Sequence, residues 1–199
     1  MSDGETTDNQ RETALQAYID KMSELLLKEN LRESAEDSEV RQIARVRTIT
    51  ILRRLGADRK GSVLQFLHEA GLIGAKVKDD YRVRSIISLY KANLCGANLG
   101  EAFLALADLS YTDLRGANLN QATLDAVNLD KTNLAEADLS ESSMVAVSLR
   151  EANLSGTNLR GADLTVSILT DAKGITTTEL EKQAKPLKDA RMPDGSMHS

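Results

Sequence analysis

The chain has no tryptophan, two phenylalanines, two prolines, two histidines and one cysteine among its 199 residues. Each shortage closes off a class of protein. With aromatics at 3% of the composition, the interior cannot be built on large rings and must be filled by aliphatic and small side chains. One thiol, Cys95, cannot close an internal disulfide, so this is not a disulfide-stapled scaffold. Cys95 with His68 and His198 offers no metal-ligand cluster. His68 falls in a predicted helix and His198 near the end of the chain, and neither has a nucleophile suggested beside it. No stretch approaches the ~20 apolar residues that a membrane span requires, and Met1 to Arg11 is polar, unlike a signal sequence. A Gly-rich phosphate loop is missing as well. The expectation is a cytoplasmic, non-enzymatic protein with no cofactor, no metal site and no small-molecule substrate.

What the chain does have is a period of five. From residue 91 to 172 one position can be followed through sixteen pentads without insertion or deletion, and it is Leu in fifteen of them, with Met144 in the other. Two residues before each centre stands a small side chain, Ala in nine pentads and Thr, Ser or Val in the rest, and Asn or Asp fills the intervening site in eleven. A five-residue period fits neither a helix nor a long strand. In a short extended piece the small residue and the Leu point to one side and the residue between them to the other, so the last two residues must turn the chain. The result is a solenoid. Gly96, Gly116, Gly156 and Gly161 fall at that turn, where glycine costs least. Thr112, Thr132, Ser142, Thr157 and Ser167 occupy the small site, where a hydroxyl can bond nearby backbone.

This A-[DN]-L-x-x pattern resembles the pentapeptide-repeat family. The resemblance implies a mainly β fold: a right-handed quadrilateral β-helix with four pentads per coil, hence about four coils and roughly 20 Å of rod. A small α-helical domain precedes it and a C-terminal capping helix follows. The segments LQAYIDKMSELLL and VRQIARVRTITILRRLGADRKGSVLQFLHEAGLI are similar to the helical region before the repeats in many bacterial members. In such relatives a membrane-spanning helix often lies further upstream, so the chain is either a soluble version or the continuation of a longer, membrane-anchored product.

The expected organisation is a disordered N-terminus over 1–12, an α-helical domain over 13–73, a linker and start of the first coil over 74–90, the β-helix over 91–172, a cap over 173–188 and a flexible tail over 189–199. Within the helical domain, apolar spacing predicts one helix from Leu15, a second from Ser38 to Leu55 ended by Gly56, and a third from Asp58 ended by Gly71.

Charge is uneven behind the net −5. Residues 1–40 carry eleven acids against four bases, while 41–60 hold Arg41, Arg45, Arg47, Arg53, Arg54, Arg59 and Lys60 against Asp58 alone. This basic patch either faces an anionic membrane or other acidic surface or pairs internally with the acidic first helix. Nucleic acid is not the expected partner. Some pentapeptide-repeat proteins imitate the DNA duplex and bind gyrase or topoisomerase, and that modulator role is an alternative function. The rod here has eleven acids and five bases over 91–172, with many neutral outward sites, a weak match to a duplex.

Sorting outward sites by every fourth pentad isolates one less polar face, with Phe103, Leu106, Val145 and Val166 as its largest members. Such a strip marks a contact, either with a protein partner or second copy, or with the chain's own helices. The favoured function is a scaffold or protein-protein interaction module.

Overall fold

The computed structural model describes residues 3–74 and 85–199. Helix α1 spans Asp3–Lys28, a 3-10 turn spans Leu31–Glu33, α2 spans Glu39–Leu52 and α3 spans Ala57–Glu69. Met22, Leu31, Leu52, Val63, Leu64 and Leu67 are fully buried and tie these helices into one core. Inside it the Tyr18 hydroxyl bonds Thr48 at 2.8 Å, and burial pushes the Tyr18 phenol above its ordinary value.

Two helix boundaries correct the sequence reading. The segment 1–12 expected to be disordered is helical from Asp3 onward. It has no apolar periodicity, so its order comes from elsewhere: Arg59 of α3 binds Asp8 at 2.6 Å and Glu12 at 2.9 Å. Gly56 does not terminate α2 either; at φ −77° it is an extended residue immediately before α3. Gly71 does end α3. It takes φ +66°, and the N–H groups of Gly71 and Leu72 return to the carbonyls of His68 and Leu67, closing a Schellman motif. The expected linker over 74–90 is described at Gly74 and from Ser85 on, and residues 75–84 lie outside the described residues.

From Ile87 the chain winds. Parallel bridges join Asn93 to Asp113, Asp113 to Asn133 and Asn133 to Asn153, and the three other sides repeat the same spacing of twenty residues. The central Leu N–H donates to the coil above, as from Leu94 to the Asp113 carbonyl at 2.8 Å, and the residue just before each centre donates to the coil below, as from Asp113 N–H to the Ala92 carbonyl at 3.0 Å. Every Leu centre is buried, as is Met144, each contributing roughly 2 kcal/mol by its removal from water. The five small-site hydroxyls are also buried and all donate to backbone, for example Thr132 to the Leu109 carbonyl at 2.8 Å.

The Asn and Asp column does more than form ladders. Side-chain bonds up a face exist between Asn118 and Asn98 and between Asn153 and Asn133. The recurrent bond is local, from the N–H two residues on, as from Arg115 to Asp113, Asp130 to Asn128 and Thr165 to Asp163. These are Asx turns that fix each corner. The second corner residue has positive φ at every turn, by glycine at Gly96 and by side chains as large as Leu106, Tyr111 and Val166 elsewhere.

The end of the rod corrects a third expectation. Helix α4, Thr177–Gln183, begins with a capping box between Thr176 and Glu179. The residues after it are not a loose tail. Leu164, Val166, Leu169 and Asp171 donate their N–H groups to the carbonyls of Pro186, Lys188, Arg191 and Pro193. Arg191 bridges Ile168 on one side and Met197 on the other, and Ala190 and Met192 are buried. The open edge of the last coil needs those acceptors, so 189–199 is held on it.

Candidate interaction surface

At the other end, α3 lies across the edge of the first coil and satisfies it group by group. The Asn98 N–H donates to the Ala57 carbonyl at 3.1 Å. The Lys60 ammonium reaches the Cys95 carbonyl at 2.8 Å and Asn93 Oδ1 at 3.3 Å. Gly61 and Gly74 bring bare Cα atoms so close to the Asn98 and Ala105 carbonyls that a Cβ on either glycine would stand 2.3 Å from the oxygen. Those approaches orient Cα hydrogens at acceptors that have no coil beneath them.

This docking divides the seven basic residues expected to form a patch. Lys60 is buried, and burial pushes its ammonium below the ordinary value; it serves the coil edge. Arg59 is held above its ordinary value by Asp8 and Glu12. Arg45 donates to the Tyr90 carbonyl at 2.8 Å and Arg41 to Ser34 Oγ at 3.1 Å. Arg47, Arg53 and Arg54 are exposed and make no ion pair within 4.0 Å among the described residues, although Arg47 lies near enough to Glu24 to help lower its carboxyl. The seven do not form one surface.

The less polar face is divided as well. Phe103, 49% exposed, stacks at 4.7 Å on His68 of α3. Ala105 is buried beside Gly74, and Leu106 is half-buried at a cleft shared with Arg41, Arg45 and Ile86. The first-coil part of the strip therefore meets the chain's own helical domain and the residues leading into the rod. Farther along, Ala126 and Ala146 are exposed, Val145 is half-buried and Val166 is 44% exposed. That part is open to solvent. Asp125, set within it, accepts from Ser143 Oγ at 2.6 Å and from the Val145 N–H at 3.0 Å, which ties its carboxyl to the coil above.

Most rod carboxylates are engaged in the same manner. Asp113 is gripped by Arg115 at 2.7 Å, which lowers its carboxyl, and Ser140 lowers Asp138 by donating from hydroxyl and backbone. Asp130 accepts from Ser148 and from the Arg150 N–H. These bonds fix where the carboxylates stand on the rod.

One cluster escapes a pattern based on Leu centres. On the corner column repeating every twenty residues, Lys91 lies over the rings of Tyr90 and Tyr111 at 5.0 and 5.8 Å, and Lys131 lies over Tyr111 at 5.4 Å while pairing with Glu151 at 3.4 Å. Listing Lys91, Tyr111, Lys131 and Glu151 as a column would have revealed it. Among the described residues no group of His, Cys, Asp and Glu is arranged to hold a metal ion, and no helix is long and apolar enough to cross a membrane. Cys95 is exposed and unpaired.

A family model for pentapeptide repeats matches eight copies over residues 87–125, 128–165 and 148–173. Among solved structures, the chain is similar to alr5209, a pentapeptide repeat protein from Nostoc PCC 7120, at 33% identity over 48% of this chain and 86% of that one, with a TM-score of 0.42. It is similar to HetL, a pentapeptide repeat protein involved in heterocyst differentiation regulation in the same cyanobacterium, at 29% identity over 56% of this chain and 66% of that one, TM-score 0.29. Rfr23, from the cyanobacterium Cyanothece 51142, is 30% identical over 45% of this chain and 63% of its own, TM-score 0.20. The chain thus spans less than two thirds of HetL and Rfr23. No curated protein sequence matches it. The sixteen-pentad solenoid, its small and Leu side chains turned inward, and the identity shared along most of alr5209 agree: the chain belongs to the pentapeptide-repeat family, whose members fold as right-handed β-helices.

Proposed function

We propose that the protein is a non-enzymatic interaction module in which the open part of one rod face, at Ala126, Val145, Ala146 and Val166, binds a protein partner. Val166 carries this reading. It is β-branched, exposed, and held at φ +52°, a left-handed conformation that strains such side chains by about 1–2 kcal/mol. Glycine fills the equivalent corner site without strain on the preceding face, at Gly161, and on the opposite face, at Gly156. An exposed valine at such a corner supports a role for its side chain outside the rod. The neighbouring alanines and Val145 extend the apolar contact along the same face.

The test compares capture of partners from native cell extract by the parent chain and by Val145→Glu and Val166→Gly variants. Val166→Gly is expected to raise thermal stability slightly while losing captured protein, and Val145→Glu to lose capture with folding intact. Unchanged capture by both folded variants would remove this face from consideration.

A further inference from the structure

Two of the three arginines without an ion pair among the described residues, Arg47 and Arg54, stand beside an apolar groove. Val46, Arg47 and Arg54 line a depression of about 270 Å³ between α1 and α2, with Tyr18 and Ile51 in its floor. Its α1 wall is made by Ala14 and Ala17, small enough to let another helix approach closely. Val46 is 60% exposed and Ile43, one turn before it on the same α2 face, is 38% exposed. Along α1, Glu24, whose carboxyl Arg47 helps to lower, is already bound by Lys21 and faces Lys28 at 3.8 Å. The rim is therefore cationic. Arg53 adds a third exposed guanidinium next to Arg54.

We propose that this groove receives an acidic amphipathic helix from a partner protein, its apolar stripe against Val46, Ile51 and Tyr18 and its carboxylates on Arg47 and Arg54. Charge selects the occupant. An apolar third helix accounts for Ile43 and Val46, and carboxylates beside its stripe supply the close ion pairs that Arg47 and Arg54 lack among the described residues. Neither the acidic stretch of α1 nor α4 supplies such a helix to a second copy. The acidic stretch of α1 from Asp3 to Thr13 contains no Val, Leu, Ile, Met or aromatic residue, and the buried Leu180 of α4 is already used in its own rod end. The inference concerns the helical domain and stands whether or not the rod face binds anything.

The experiment is a fluorescence anisotropy titration of the full chain against two labelled amphipathic helical peptides with the same leucine stripe, one flanked by glutamates and the other by lysines. The glutamate peptide is expected to bind, and binding is expected to weaken about tenfold in the Arg47→Glu/Arg54→Glu double variant. Ala17→Trp, which fills the groove from an exposed position and leaves the charges alone, is expected to weaken it similarly. Val145→Glu, on the rod, is expected to leave it unchanged, so failure here is separable from failure of the rod-face reading. The proposal is overturned if the lysine peptide binds as tightly, if both groove variants bind the glutamate peptide like the parent, or if the chain binds phosphatidylserine vesicles or duplex DNA but neither peptide.

Discussion

Replacing Gly61 by alanine tests how the helical domain and the rod are joined, because two well-understood effects have opposite signs there. Inside a helix, Gly→Ala ordinarily stabilises by up to about 1 kcal/mol. At Gly61 the new Cβ would lie 2.3 Å from the Asn98 carbonyl oxygen and 3.5 Å from its carbon. That oxygen is backbone of the first coil and cannot swing aside, so α3 must withdraw by about 1 Å to restore ordinary contact. Withdrawal stretches the 3.1 Å bond from Asn98 N–H to the Ala57 carbonyl and the 2.8 Å bond from Lys60 to the Cys95 carbonyl. Weakening these partly buried groups costs about 1–3 kcal/mol, and the disturbed packing adds a similar amount. Net of the helix gain, Gly61→Ala is expected to destabilise by about 1–5 kcal/mol. Urea unfolding followed by far-UV circular dichroism reads this directly. Gly56→Ala is the control, since its nearest neighbour is Arg11 Nη1 at 3.9 Å and its φ is −77°. A Gly61→Ala protein as stable as the parent, or more so, would refute the edge-capping geometry.

Two further outcomes are expected. Arg59 lowers the Asp8 carboxyl below the ordinary 3.8, so the stabilisation from this pair is complete above that value and disappears as pH falls through the lower folded-state value. Amide exchange in the first half of α1 should lose protection on acidification across that range and keep it in α2; equal protection of α1 throughout would show that the pair does not hold it. Deleting residues 184–199 removes the carbonyls that accept from Leu164, Val166, Leu169 and Asp171. The truncated chain is expected to self-associate end to end with rising concentration in sedimentation velocity, and a truncated chain that stays monomeric would show that the edge needs no cover.

The rod was legible in the sequence because its signal is repeated: the inward Leu and small residues act through the same burial in every pentad, and burial is what an apolar pattern records. The helix spanning 3–12 was not legible, since its order rests on Arg59 reaching across to Asp8 and Glu12, a contact with no local pattern. The C-terminal residues looked loose for the same reason. Their carbonyls hold them on the last coil, and every residue type has a carbonyl. Of the surface expected to bind, Phe103 and Leu106 share the apolar character of Val145 and Val166, and only the placement of α3 and Gly74 separates them. The basic run was misleading in a similar manner, because Lys60, next to Gly61, is recruited to the coil edge while Arg59 turns to Asp8 and Glu12 of α1.

That recruitment bears on how the protein works. A helical domain joined to a rod by a linker alone would leave any two bound partners free to move independently. Here the joint is made by the unsatisfied edge of the solenoid itself: Ala57, Lys60, Gly61 and Gly74 each answer a specific backbone group of the first coil. Such groups are costly to leave unpaired when buried, so the helices are held on the rod by the same requirement that would otherwise recruit another coil. The cap therefore also fixes orientation. A partner on the α1–α2 groove and a partner on Val145 and Val166 would be carried at a set distance and angle, and Gly61→Ala would disturb that relation without touching either surface.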